Sequence, residues 1–133
     1  MSRSGYNDEC DGWALIRWRG AVKSAIRGKR GQAFLRELLA ALDELSTHEL
    51  VEGELETNGQ VCSLGAVGVR RGLDMRDVDP YERERVAGLF GISEALAAEI
   101  MEENDHGWRV KTPRQRWEYM RSWVIKNIEG DMP

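Results

Sequence analysis

From Gly12 onward, apolar residues return at helical rather than alternating spacing. Leu15, Trp18, Val22, Ala25 and Ile26 share one face of a helix predicted over about Gly12 to Arg27, with Asp11 as its cap. Gly28 is the expected left-handed stop of that helix. A second helix, about Gly31 to Leu45, follows from the broad stripe of Phe34, Leu35, Leu38, Leu39, Leu42 and Leu45. Two such helices joined by a short turn form an αα-hairpin.

The period then changes. Asn58-Gly59 favours a type I′ turn, which needs positive φ at both central residues, and predicts a two-stranded hairpin of Val51 to Glu56 with Gln60 to Ser63. Leu64 to Gly72 reads as a short glycine-rich helix. Asp79-Pro80 opens a helix expected to run to Phe90, where Gly91 breaks it, and Ser93 caps another that extends to about Glu103. Thr112, Pro113 and Gln115 supply N-cap, N1 and capping-box partner for a last helix, with Trp117, Met120, Val124 and Ile128 on one face. The expected fold is mainly α: one compact helical domain over residues 1–133 with one short β-hairpin, preceded by a polar, flexible arm at 1–10.

Composition narrows the class. At 133 residues, 41% hydrophobic and 32% charged, the chain has the make-up of a single globular domain that needs no metal or disulfide to fold. No apolar run reaches the length of a membrane span, and the first residues lack the apolar core of a signal peptide, so no membrane association and a cytoplasmic address are expected. Cys10 and Cys62 form no C-x-x-C pair and read as reduced thiols.

Charge is distributed unevenly. The net charge of −4 conceals a segment, Gly12 to Arg36, with seven cations and no acidic residue, which leaves −11 for the remainder. Two readings of this split stay open: a site for an anionic ligand, or a basic helix neutralised by acidic helices. Arg19, Lys23 and Arg27 fall at i, i+4 and i+8, in one row. Beyond them, "RGKRGQ" brings Arg27, Lys29 and Arg30 to the start of the second helix, where Gly31 and Gln32 offer backbone N–H groups at the positive end of the helix dipole. Arg19, Lys23, Arg27, Lys29, Arg30, Gly31 and Gln32 are therefore the candidate ligand-binding residues, against the alternative of a solvated interhelical turn. Neither a Walker loop nor G-x-G-x-x-G is present.

Other motifs are weaker. Ala87, Gly91, Ile92, Ala97 and Ile100 have helix-turn-helix spacing, but the second helix carries Glu94, Glu99, Glu102 and Glu103 where base and phosphate contacts call for cations and amides. Trp18 and Trp117 read as core, while Trp13 and Trp108 are the candidates for exposed anchors, against the favoured alternative of a buried edge of the fold. His48 and His106 belong to no ligand pattern, Asp105-His106 reads as a loop, and Cys62 reads as a small core residue. No acid/base pair or nucleophile is placed for catalysis, so no enzyme activity, metal or cofactor is expected.

The stretches "SGYNDECDGWALIRWRGAVKSAIRGKRGQAFLRELLAALDEL", "VCSLGAVGVRRGLD", "FGISEALAAEI" and "ND…GW…TPRQRWEYMRSWV" resemble a family of small soluble proteins encoded by tailed bacteriophages and prophages. The resemblance spans most of the chain. It implies a setting, a phage accessory protein in a bacterial host cytoplasm, and carries over no catalytic residue. Binders are common in that setting: inhibitors of host defence proteins, sponges for signalling nucleotides, regulators. The expected function is thus a non-enzymatic accessory protein that binds a phosphorylated ligand such as a nucleotide or nucleic acid, in counter-defence. The alternatives are an interaction module that inhibits a host protein, and a helix-turn-helix-like DNA-binding regulator, for which a homodimer is expected.

Overall fold

The computed structural model describes residues 3–4, 12–107 and 112–129. In chain order these form α1 (Gly12–Arg27), α2 (Lys29–Glu44), β1 (Glu56–Thr57), β2 (Gln60–Val61), α3 (Ser63–Arg71), α4 (Arg83–Phe90), α5 (Glu94–His106) and α6 (Pro113–Asn127). The chain is mainly helical with one antiparallel hairpin, gathered into a single domain.

Two helices organise it. α2 packs on α1, α3 and α6, while α5 packs on α1, α3, α4 and α6, so three of the remaining helices bridge the pair. The α2 stripe predicted from sequence is what enters the core: Phe34, Leu35, Leu38, Leu39 and Leu42 are buried, each worth about 1.5–3 kcal/mol of transfer free energy. α5 is buried on most sides, its first half through Ala95, Leu96, Ala97, Ala98, Ile100 and Met101. α1 is peripheral, and Val22 is its one fully buried apolar side chain among the described residues.

Boundaries follow local chemistry. Ser93 caps α5 by accepting the Leu96 N–H at 3.0 Å. Thr112 and Gln115 close the expected capping box on α6, whose Trp117, Met120, Val124 and Ile128 are buried. Gly72 and Gly91 end α3 and α4 at φ 70, a left-handed conformation that costs glycine nothing. Asn58 and Gly59 both have positive φ, 51 and 79, as a type I′ hairpin requires.

Four expectations are corrected. Gly28 sits at φ −68, ψ 159, extended rather than left-handed, and is a one-residue hinge that caps α2, which begins at Lys29 and not Gly31. The hairpin strands are two residues each, with Glu56 opposite Val61 and Thr57 opposite Gln60, because Cys62 already caps α3 through its sulfur. α4 starts at Arg83: the Asp79 carboxylate accepts the Tyr81 N–H at 2.8 Å, a local turn that competes with helix. Finally, Arg3 and Ser4, placed by sequence in a flexible arm, are 3% and 1% exposed. Asp11, Trp108 and the Trp13 side chain lie outside the described residues.

Candidate functional site

The basic turn is built on a close helix approach. A methyl at Gly31 would lie 1.8 Å from the Ala25 carbonyl oxygen, so only glycine lets α2 cross the end of α1 at this distance. Gln32 locks the corner. Its Nε2 donates to the Ile26 and Asn127 carbonyls at 2.7 and 2.9 Å, and its Oε1 accepts the Glu129 N–H at 2.8 Å. Gly31 thus shapes the turn while its N–H stays in the first turn of α2, whereas the Gln32 N–H, expected from sequence to face a ligand, already donates to the Gly28 carbonyl at 2.9 Å because α2 starts two residues earlier than expected.

The start of α2 is left open by the same arrangement. Gly28 has no side chain to cap it, and the first turn holds no acidic residue. The N–H groups of Lys29, Arg30 and Gly31 belong to the turn that has no intrahelical acceptors. These residues border a recess of about 260 Å³ that Ser24, Ala25 and Gly28 line on the same side and Ile92, Ser93 and Leu96 line from across the groove. Ser93 is the N-cap of α5, so two helix N-termini meet at one recess flanked by two exposed cations. Both N-termini place positive potential there, against the negative end of α1, whose last turn lines the same recess through Ser24 and Ala25.

The remaining cations are elsewhere. At 100° per residue, Arg19, Lys23 and Ile26 face one flank of α1, and Ser24 and Gly28 the opposite one. Arg19 and Lys23 border a separate recess of about 400 Å³ with Glu99 and Trp123. Arg27 lies between, 3.7 Å from Glu129 with both side chains 61% exposed, a pairing that water screens to little effect. Among the described residues, Arg19, Lys23, Lys29 and Arg30 form no ion pair. Among the described residues the acidic helices form no ion pair with Arg19 or Lys23, and the candidate cations are divided between two recesses, Arg19 and Lys23 at one and Lys29 and Arg30 at the other.

Sequence reading missed a buried polar cluster. The Arg3 guanidinium donates to both Asp105 oxygens, Nε to Oδ2 at 2.7 Å and Nη2 to Oδ1 at 2.8 Å, and Nη1 reaches the Cys62 sulfur at 3.7 Å. Asn104 accepts the Ser63 N–H and hydroxyl on Oδ1 and donates to the Val51 carbonyl. Arg116, 6% exposed, donates to the carbonyls of Asn104 and Leu50. Ser4 donates to Glu102 and accepts from Arg83 on its carbonyl. Burial alone would raise the Asp105 carboxyl; the Arg3 guanidinium, with N–H donors from Asn104 and Gly53, outweighs it and holds the group below its ordinary value. A trace existed in the sequence: Asn104 falls in the row of Leu96 and Ile100, and Arg116 in that of Met120 and Val124, polar residues in core register. Asp105 and His106, read as a loop, are the last turn of α5 because Asp105 is held by Arg3 from outside the helix.

α4, Gly91 and α5 do have helix-turn-helix connectivity, but α5 lies within the core, and only Glu94 and His106 of its thirteen residues are exposed. Among the described residues no helix is long and apolar enough to cross a membrane. Comparisons with protein-family models, curated proteins and solved structures return no match.

Proposed function

We propose that this protein is a binding module for phosphorylated ligands, with the phosphate seated where the N-termini of α2 and α5 meet. The observation that carries the reading is the uncapped start of α2: Gly28 supplies no capping side chain, and Lys29 and Arg30 flank N–H groups that border an open recess. An anion there meets N–H donors and two favourable dipole ends, with the Lys29 and Arg30 charges set against the unfavourable C-terminal end of α1. Size limits what is enclosed. At about 260 Å³ the recess is below the roughly 300–1,000 Å³ of sites that engulf whole small molecules, so it takes the phosphate group and leaves the rest of the ligand outside. In the setting that the resemblance to phage and prophage proteins implies, such a module acts by sequestering a nucleotide or covering a phosphorylated host molecule.

The test is a thermal-shift and calorimetric titration of the full chain with inorganic phosphate, pyrophosphate and nucleoside triphosphates, repeated on Lys29→Ala/Arg30→Ala. A ligand at a hundredfold excess over its Kd is expected to stabilise the fold by about 2.7 kcal/mol. That gain should be largely lost in the double variant and weaken with added salt. Equal stabilisation of both proteins would remove this recess from consideration.

A further inference from the structure

The opposite flank of α1 carries a second recess that the phosphate reading does not use. It is walled by three helices, with Arg19, Lys23 and Ile26 from α1, Glu99 from α5, and Trp123 and Asn127 from α6. Its volume of about 400 Å³ falls inside the range of roughly 300–1,000 Å³ typical of small-molecule sites. The chemistry is divided: an indole and the apolar Ile26 stand beside two cations with no ion-pair partner among the described residues. We propose that this recess is a binding site for an aromatic anion of the nucleoside monophosphate class, its ring against Trp123 and its phosphate between Arg19 and Lys23.

Each part of the lining fits a different part of that ligand. Arg19 and Lys23 are one turn apart, about 6 Å along the axis, so their heads can converge on the oxygens of one phosphate. Trp123 is half-buried and packed against the core, so its ring is already ordered and stacking costs little entropy. Asn127 is held on both sides: its Nδ2 donates to the Trp123 carbonyl at 2.8 Å, and its own carbonyl accepts from Gln32 at 2.9 Å. Glu99 sets one negative charge beside two positive ones, which disfavours a bare polyanion. Aromatic and cationic groups lining one groove are the combination by which proteins stack bases and hold phosphates of single-stranded nucleic acid, and the same two contacts serve one nucleotide.

The experiment is a tryptophan-fluorescence titration of the full chain with AMP, GMP, CMP and UMP, and, as separate arms, with inorganic phosphate and the free nucleosides. Saturable quenching by at least one nucleotide is expected, with phosphate or nucleoside alone binding at least tenfold more weakly. Arg19→Ala/Lys23→Ala, both exposed positions that leave the core intact, should weaken the nucleotide by tenfold or more. Trp123→Phe should remove most of the quenching while calorimetry still detects binding. Lys29→Ala/Arg30→Ala should change nothing, which separates failure of this site from failure of the α2 recess. Absence of saturable quenching by any nucleotide, or quenching that survives Arg19→Ala/Lys23→Ala, would overturn the proposal.

Discussion

Arg3→Ala is expected to lower the unfolding free energy by about 3–5 kcal/mol, read as a fall in urea midpoint at unchanged slope. The size follows from what is left behind. Asp105 is 8% exposed and receives two guanidinium N–H donors from Arg3, so truncation strands a largely buried carboxylate without its counter-charge. Removing both charges should cost much less than removing one, and a double-mutant cycle of Arg3→Met with Asp105→Asn should return a coupling energy of more than about 1 kcal/mol. If Arg3→Ala changed stability by less than about 0.5 kcal/mol, the first residues would not be part of the fold.

The same pair sets an acid limit. The folded-state pKa of Asp105 is depressed, so its contribution is complete above the unfolded value of about 3.9 and is lost as pH falls through the lower folded value. Urea midpoints measured from pH 6 down to pH 2 should therefore drop steeply below about pH 4 in the wild type. In Arg3→Ala the Asp105 contribution to that drop should be absent, because without its guanidinium the buried carboxyl no longer favours ionisation.

The second large effect is expected at the corner between α1 and α2. Gly31→Ala should cost about 3 kcal/mol or more, the upper end of overpacking penalties, since its methyl would meet the backbone carbonyl oxygen of Ala25 at 1.8 Å, an atom that cannot swing aside as a flexible side chain could. The helices can accept it only by separating, which would also break the Gln32 bonds to Ile26 and Asn127. Gly20 is the internal control. It lies within α1 with no atom inside 4 Å of the place a methyl would occupy, so Gly20→Ala should stabilise by about 0.5–1 kcal/mol through helix propensity alone. Parallel thermal melts of the two variants decide between a packing requirement and a generic glycine effect.

The helices are legible in the sequence wherever one face is apolar and a cap is present. α2 and α6 are the clearest instances, because leucine spacing and the Thr112 capping box act locally and need no partner to be recognised. The Gly28 turn differs from expectation for the converse reason. Glycine serves both a left-handed stop and an extended N-cap, and only the tertiary approach of Gly31 to Ala25 selects the second. The candidate site is legible as composition but not as geometry. Arg19, Lys23 and Arg27 form one row along α1, yet whether that row and Lys29–Arg30 face one ligand depends on how α5 and α6 flank the helix. Arg3 and Asp105, 102 positions apart, leave no local pattern that could pair them.

The measurement that tests the central claim most directly is a ¹H–¹⁵N correlation titration of the labelled protein with inorganic phosphate. Saturable shifts are predicted for the amides of Lys29, Arg30 and Gly31, which start α2, and for Glu94 and Ala95, which start α5, with little change along α3 or α6. Shifts that never saturate, or that spread over exposed lysines and arginines without involving the Gly31 amide, would contradict it and leave "RGKRGQ" as a turn that joins two core helices.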